Sequence, residues 1–363
     1  MFFHLASTLL KSKLFALITL SVCFTIQSAY AQYGYFYSGK DYGSEAIYTP
    51  FTQIISGGFD MVFVLNESSR LDEIDFKQGA IELYETLRYP KEGIDWIGWD
   101  TFLRSEILIS TKNGQWVPNY TMHLLGGGME YARLADFYKY HGAKFPRIYA
   151  AFTATTEHLL NEFVENIDRE WLNYGTVSDI YLFNNAGMIA FSFEPIQRFF
   201  AEKLILRSWL SQTSYIFSDN SIQNVGQYYS IKWQPPFMKK YSLFTHYGAG
   251  FMIGAGIDKN ENTISFGAGF RTKSVSVYNE ETRQETISAL PSAGVFVDKN
   301  NSLLASFIYN HGPDFYENVK IEIYPGFIPM QNKNLKLGFW VNLSFQQRSY
   351  VGITIGNIPS IGF

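Results

Sequence analysis

The hydrophobic and polar positions near the end of the chain alternate with a period of two. From Leu335 to Gln346 every odd position is apolar, and every even position except Trp340 is small or polar. The same alternation recurs in three further runs: 263–270, 319–323 and 350–356. Successive side chains of a strand point to opposite faces, so each run predicts a strand with one apolar and one polar face.

Turn-forming residues separate these runs at 258–260, 279–280, 298–301 and 331–334. The runs are about 10 to 12 residues long, which suits a tilted membrane strand better than a soluble strand of about 5 to 6. A soluble sandwich would alternate too and is the alternative. We predict a transmembrane antiparallel β-barrel of about 8–10 strands over residues 208–363, closed because an open edge in lipid leaves backbone groups unpaired.

The chain ends on an aromatic residue with apolar residues of the same parity before it. Phe363 follows Ile361, Ile355, Ile353 and Val351 at even spacings. This ending is similar to the terminal-strand signal that the barrel assembly machinery recognises. We therefore expect that machinery and outer-membrane lipids as partners.

Residues 121–207 change to a helical period and form the predicted helical segment. We expect one helix through Gly126-Gly127-Gly128, where the glycines indicate close backbone approach to another helix or a ligand. A second helix should run from Pro146 to Trp171. A third should begin at Ser178 as N-cap, with Pro195 as a kink.

Residues 32–120 read as a mixed N-terminal segment. Phe59 to Val64 looks β-like, and Phe76 to Leu87 looks helical before Pro90. Before it, residues 1–31 form a predicted signal peptide: two lysines, a short apolar stretch and Ala29-Tyr30-Ala31 as the cleavage site. We therefore expect export to a bacterial outer membrane, and cleavage would remove Cys23, the only cysteine of the sequence.

Composition supports an exposed apolar surface without a spanning helix. Aromatic residues make up 18% of the chain and charged residues only 17%, against a usual charged share of about 25%. Outer-membrane barrels place such aromatics in girdles at the two interfaces. The net charge of -4 has no basic block, so nucleic acid is not an expected partner.

Polar residues of the helical segment are the candidate site. We expect a polar seam between the second and third helices, because polar groups among large apolar residues need partners when buried. Its candidates are His123, Glu157, His158, Asn161, Glu162, Glu165, Asp179, Asn184 and Asn185.

An ordered set of motifs between about residues 95 and 200 resembles a known group of proteins. The set is Trp99-Asp100, Trp116-Val117-Pro118-Asn119-Tyr120, His123, Gly127, Asn161-Glu162, Glu165, Ser178-Asp179 and Asn185-x-Gly187. It resembles an uncharacterised family of bacterial envelope proteins that place a helical segment before outer-membrane strands. The resemblance implies an envelope location and a fold, and no reaction.

Three functional hypotheses remain open at this point. A barrel with a structural, ligand-binding or narrow-transport role, plugged or lined by the helical segment, needs no catalytic motif and is preferred. A lipid-modifying hydrolase with a site on the helical segment is the alternative, although the chain has no G-x-S-x-G motif. A metal site is disfavoured because Glu157 and His158 are adjacent and no H-E-x-x-H occurs, so we expect no cofactor.

Overall fold

A computed structural model describes most of the chain beyond the predicted signal peptide. The described residues are 34–65, 69–109, 115–165, 174–238, 240–279, 284–328, 336–356 and 360–363. Residues 1–31, with their predicted cleavage site, lie outside this set.

The first half of the described chain is helical. Its α-helices are α1 (Gly43–Ala46), α2 (Pro50–Gly58), α3 (Val62–Leu65), α4 (Phe76–Arg88), α5 (Pro90–Ile97), α6 (Trp99–Phe102), α7 (Trp116–Pro118), α8 (Gly128–Tyr140), α9 (Pro146–Glu165), α10 (Tyr174–Ser178), α11 (Asn184–Ala190) and α12 (Glu194–Arg198). Four π-helical stretches continue α6, α7, α10 and α12: π1 (Leu103–Ile107), π2 (Asn119–Gly127), π3 (Asp179–Phe183) and π4 (Phe199–Lys203).

Among the described helices, α2 and α4 begin with a side-chain cap. At the start of α2, Thr49 and Thr52 form a reciprocal capping box, and Pro50 occupies the first turn. At the start of α4, the side chain of Asp75 accepts a hydrogen bond from the backbone N–H of Gln78 at 3.0 Å. The predicted helix over Phe76 to Leu87 is therefore confirmed.

Three local predictions in the helical half are wrong. The β-like stretch before residue 65 is a turn leading into α3, because its apolar side chains pack among helices. Ser178 does not cap a helix: it has helical dihedral angles, and its hydroxyl group bonds to Glu106. Pro195 does not kink a helix, because α11 ends at Ala190 and Pro195 lies in the first turn of α12.

The second half of the chain forms one sheet of thirteen described strands. They are β1 (Arg207–Ser208), β2 (Ser214–Ile216), β3 (Ser221–Gln223), β4 (Tyr229–Trp233), β5 (Tyr241–Gly248), β6 (Gly250–Lys259), β7 (Asn262–Asn279), β8 (Gln284–Lys299), β9 (Ser302–Asn310), β10 (Val319–Ile323), β11 (Leu337–Leu343), β12 (Tyr350–Ile355) and β13 (Ser360–Gly362). The predicted count of 8–10 is too low, because β1, β2, β3 and β13 are too short to leave an alternating pattern.

Neighbouring strands are antiparallel throughout the sheet, except where β2 pairs with β13 in parallel. The strand order is β1-β4-β5-β6-β7-β8-β9-β10-β11-β12-β13-β2-β3. No ladder joining β1 to β3 is found among the described strands. The structure confirms a mostly antiparallel β-rich fold with a preceding helical segment.

The two faces of this sheet have opposite character. One face, which we call the outer face, exposes apolar side chains: Leu243, Phe251, Ile253, Ile257, Ile264, Phe266, Phe270, Phe307, Phe339, Val351, Ile353, Ile355 and Ile361. The other, the inner face, buries polar and charged side chains between aromatic ones: Lys232, Ser242, His246, Ser265, Arg271, Asp298, Ser306, Asn310, Lys320, Glu322, Asn342 and Thr354. The alternation read from the sequence thus sorts apolar residues outward and polar residues inward.

Buried charges of the inner face meet opposite charges. Lys232 Nζ donates to Asp298 Oδ1 at 2.8 Å, and both side chains are almost fully buried. Arg271 and Lys320 lie 3.7 and 3.4 Å from Glu317. Such pairing is what allows charged side chains to remain buried.

The helical segment packs against the outer face at one side of the sheet. Tyr229 of β4 and Tyr247 of β5 point to the outer face, yet they are buried in one core with Met129 of α8 and Ala150 and Ala154 of α9. Helices α8 and α9 therefore cover this part of the sheet from outside. None of the described helices is both long enough and apolar enough to cross a membrane.

Candidate functional site

The glycine run that precedes α8 allows two helices to touch backbone to backbone. A Cβ atom on Gly128 would lie 2.7 Å from the carbonyl oxygen of Gly187. One on Gly187 would lie 2.5 Å from that of Leu124. Only glycine permits this approach, so the predicted close helix contact is confirmed. It brings π2 against π3 and α11.

His123 lies at the centre of the polar group that this contact creates. Its Nδ1 lies 3.2 Å from Oδ1 of Asn184, and its Nε2 lies 3.6 Å from Oδ2 of Asp179. The contact with Asn184 is a hydrogen bond in the ring tautomer that carries its hydrogen on Nδ1, because an amide oxygen can only accept. Burial lowers the pKa of His123, against the opposing charge of Glu165. The contact with Asp179 is then not an ion pair at neutral pH.

His158 lies beside this group on α9. A Cβ on Gly127 would lie 3.1 Å from His158 Nε2 and 3.5 Å from Asn184 Oδ1. Burial lowers the pKa of His158 to about 3, and His123 adds to this effect. His123, His158, Asp179 and Asn184 therefore form one cluster of uncharged imidazoles near a carboxylate, which we call the histidine cluster.

One donor of the histidine cluster has no partner. The side chain of Asn184 is 3% exposed, and its Nδ2 makes no hydrogen bond in the part of the chain that the structure describes. A buried amide N–H without an acceptor costs about 1–3 kcal/mol. A ligand atom that accepts a hydrogen bond from Asn184 Nδ2 would remove this cost.

A second network, which the sequence reading missed, supports the cluster from behind. Glu106 is fully buried in π1. Its Oε2 accepts from Asn119 Nδ2 and from Ser178 Oγ, both at 2.9 Å. Ser178 Oγ also lies 3.2 Å from Asp179 Oδ1, so Glu106 positions the segment that carries Asp179. Asn119 and Ser178 belonged to the resembling motifs, whereas no sequence feature singled out Glu106.

Glu157 does not join the histidine cluster and instead connects helices to the sheet. Its two carboxyl oxygens accept from Gln53 Nε2 at 3.2 Å and from Gln227 Nε2 at 2.6 Å. Tyr229 of β4 donates to the other end of Gln227 at 2.9 Å. The expected seam thus splits in two, because Glu157 and His158 point to different sides of α9.

The remaining seam candidates have structural contacts. Asn161 Nδ2 donates to the carbonyl oxygen of Gly57 at 3.3 Å, which holds α2 against α9. Asn185 Nδ2 donates to the carbonyl oxygen of Ile180 at 2.8 Å within its own helix. Glu162 is buried and Glu165 half-buried on α9.

The described residues contain no group of three or more His, Cys, Asp or Glu side chains arranged to hold a metal ion. The cluster offers imidazole nitrogens, one carboxylate and an amide, which suit hydrogen bonding and proton transfer.

Burial raises the pKa of Glu157 from its ordinary value of 4.5 to about 8, with Glu130 adding to the shift and the two glutamine bonds opposing it. The folded protein then keeps a proton that the unfolded chain releases above pH 4.5. The contribution to stability is complete below that pH and is lost as the pH rises through about 8.

We expect the Glu157→Gln variant to lose stability less steeply than the parent between pH 5 and 9, by a difference on the order of a few kcal/mol. Thermal unfolding of both proteins across this range measures it. An exposed matched change on α4, Glu85→Gln, should leave the parent profile unchanged. Parallel profiles for Glu157→Gln and the parent would contradict the buried protonated carboxyl group.

The chain matches no known family model, and no curated protein or solved structure is significantly similar to it. Fold and site together define a β-rich protein whose helical segment carries a buried histidine cluster.

Proposed function

We propose that the protein is an integral outer-membrane β-barrel with a structural or ligand-binding role, its wall braced from outside by the helical segment. The observation that carries this proposal is the inversion of polarity across the sheet. Ile253 is 60% exposed and Ile355 56%, while Lys320 and Glu322 of the opposite face are at most 3% exposed. Water would favour the reverse arrangement, whereas lipid favours this one.

The length of strand β6 agrees with a bilayer, whereas β7 and β8 are longer with 18 and 16 residues, and β10, β11 and β12 are shorter than predicted with 5, 7 and 6. Strand β6 has ten residues; at about 3.3 Å per residue and a tilt of about 45° it spans roughly 23 Å. The apolar band of such barrels is about 25 Å tall. Exposed aromatic residues lie at both ends of β4 to β6, with Trp233 and Tyr241 near one end and Phe251 near the other.

A single stretch of chain can close the sheet into a cylinder. Arg207 and Ser208 of β1 pair with β4, and Ser214 to Ile216 of β2 pair with β13. Only five residues separate β1 from β2. In the proposal this stretch brings β1 beside the β2 end of the sheet and so closes the cylinder, as the cost of an open backbone edge in lipid requires.

The interior is sealed by its own side chains together with short inserted segments. Trp209 and Ile47 pack with Phe244, Phe296 and other inner-face residues. Two cavities in this region have volumes of about 10 Å³, enough for about one water molecule each. Because α8 and α9 pack outside, the proposed stopper is Ile47 and Trp209 rather than a helical plug, and we expect no large stable current in planar bilayers.

Extraction of membranes tests this function. The protein should stay in the pellet in alkaline carbonate, and unheated samples should migrate faster than boiled ones, because closed barrels resist unfolding by detergent. Recovery in the soluble fraction, with no change of mobility on boiling, would contradict the proposal. A shift without pelleting would indicate a stable soluble sheet.

Lipid hydrolysis at the histidine cluster is the second candidate, favoured by the unpartnered Nδ2 of Asn184, an amide whose Oδ1 lies 3.2 Å from Nδ1 of His123. The imidazole would act as general base toward water and the amide would bind the carbonyl oxygen. Chromatography of membrane lipids from cells with and without the protein tests it. A lipid change that persists in His123→Gln would exclude His123 as the base.

A further inference from the structure

The connection between α8 and α9 forms an exposed tip of aromatic and apolar side chains at the far end of the helical segment. Tyr140 is 54% exposed, Phe145 50%, Tyr149 45% and Phe152 75%. Ile148 is exposed as well. Ile148, Tyr149 and Phe152 share one side of α9 by their helical spacing, and Phe145 directly precedes the first residue of this helix.

Helix α9 is apolar on its exposed side as well as on the side that packs against α8. Ala150 and Ala154 of the same helix are fully buried against the core with α8. The helix therefore has two apolar sides, of which only one is covered by the protein. Large exposed apolar patches of this kind mark contact with another surface.

The charge of the tip identifies that surface. Lys139, Lys144 and Arg147 fall within residues 137–156, which contain no acidic residue, although the whole chain has a net charge of -4. Lys144 Nζ lies 5.2 Å from the centre of the Phe145 ring. Basic side chains interleaved with aromatic rings on an amphipathic helix are the composition of a helix that lies in the interface of an anionic membrane.

We infer that the α8–α9 tip, residues 139–152, is a second membrane contact that lies among anionic lipid headgroups. In this contact Phe145, Ile148 and Phe152 enter the acyl boundary, and Lys144 reaches the headgroup phosphates. The inference rests on the proposed barrel for its location beside a bilayer. The inference adds a lipid contact for the tip, because a membrane-spanning sheet by itself does not require the tip to touch lipid.

Spin labelling of the full chain in vesicles tests the tip. In every labelled variant Cys23 is replaced by serine, so that the introduced cysteine is the single thiol. Nitroxides at Phe152→Cys and, as an exposed reference on α4, at Glu85→Cys are compared for collision with oxygen and with a water-soluble nickel complex. Vesicles contain phosphatidylcholine alone or an equimolar mixture with phosphatidylglycerol.

We expect the oxygen-to-nickel collision ratio at residue 152 to exceed that at residue 85 several-fold, and to rise with phosphatidylglycerol. Lys144→Glu should lower the occupancy of the interface by about fivefold or more. Lys77→Glu on α4 should change nothing, because Lys77 lies outside the tip.

Equal collision ratios at residues 152 and 85 in both lipids would overturn the inference. So would a signal at residue 152 that is immobilised yet closed to oxygen, which indicates a protein partner. A third label at Ile253→Cys separates the two proposals: lipid contact there without contact at residue 152 refutes only the tip, and none at either refutes the barrel as well.

Discussion

Replacing Asp298 with asparagine is expected to lower the free energy of unfolding by about 3–5 kcal/mol. Asp298 Oδ1 accepts from Lys232 Nζ at 2.8 Å and from the backbone N–H of Asn301 at 3.0 Å. The side chains of Lys232 and Asp298 are 2% and 0% exposed. The substitution keeps the shape of the side chain and leaves the Lys232 ammonium group buried without its counter-charge.

An exposed pair of the same length provides the control. Arg104 Nε and Asp100 Oδ2 are also 2.8 Å apart, but their side chains are 70% and 81% exposed. Asp100→Asn should hardly change unfolding in detergent micelles, since surface pairs contribute little. Adding Lys232→Met to Asp298→Asn should recover much of the loss. If Asp298→Asn and Asp100→Asn changed the free energy of unfolding equally, the surroundings of Lys232 would have to be open to water.

The second large effect is expected at Ile253, near the middle of β6 on the outer face. Ile253→Arg should destabilise the inserted protein by about 2–4 kcal/mol, because an arginine at the bilayer midplane must leave its hydration. Folding into vesicles at increasing urea concentrations measures this. In water the same change at a 60% exposed position would cost little.

Depth provides the matched comparison for Ile253. Ile257 lies on the same strand and face, two residues from its end, and is 46% exposed. Ile257→Arg should cost clearly less, because the arginine can reach the interface, and Ile253→Leu should cost almost nothing. If both arginine variants fold as well as the parent, the outer face does not lie in hydrocarbon.

Much of the sheet could be predicted from period-two alternation. Because the two faces of each strand have unlike surroundings, apolar and polar residues must alternate along it. Residues 319–323 illustrate this: Lys320 and Glu322 are buried and their neighbours partly exposed. Trp340, the exception in its run, is an inner-face residue whose Nε1 donates to Ser214 Oγ at 2.6 Å. It fits because Gly352, opposite it, has no side chain.

The position of the helical segment could not be predicted, because Tyr229 and Tyr247 look like any outer-face aromatic residue in the sequence. Only their burial in the core of α8 and α9 distinguishes them. The short strands β1 and β2 were missed for a similar reason, since two or three residues cannot display a period.

The candidate site was predicted in part. His123, His158, Asp179 and Asn184 meet because the glycines before α8 let the helices touch. Glu157 was assigned to the wrong partners, since one position along a helix turns a side chain by about 100°. The partners of Glu106 depend on tertiary contacts with Asn119 and Ser178.

A nitroxide scan along β6 tests the central claim most directly, with labels at each position from Phe251 to Ile257 in vesicles. We predict that oxygen accessibility oscillates with a period of two, high at the odd positions and low at the even ones, while access of the nickel complex is lowest at Ile253 and Ala255 and rises toward Phe251 and Ile257. Nickel access at Phe251, Ile253 and Ile257 equal to that of an exposed label at Glu85 would contradict a lipid-facing outer surface.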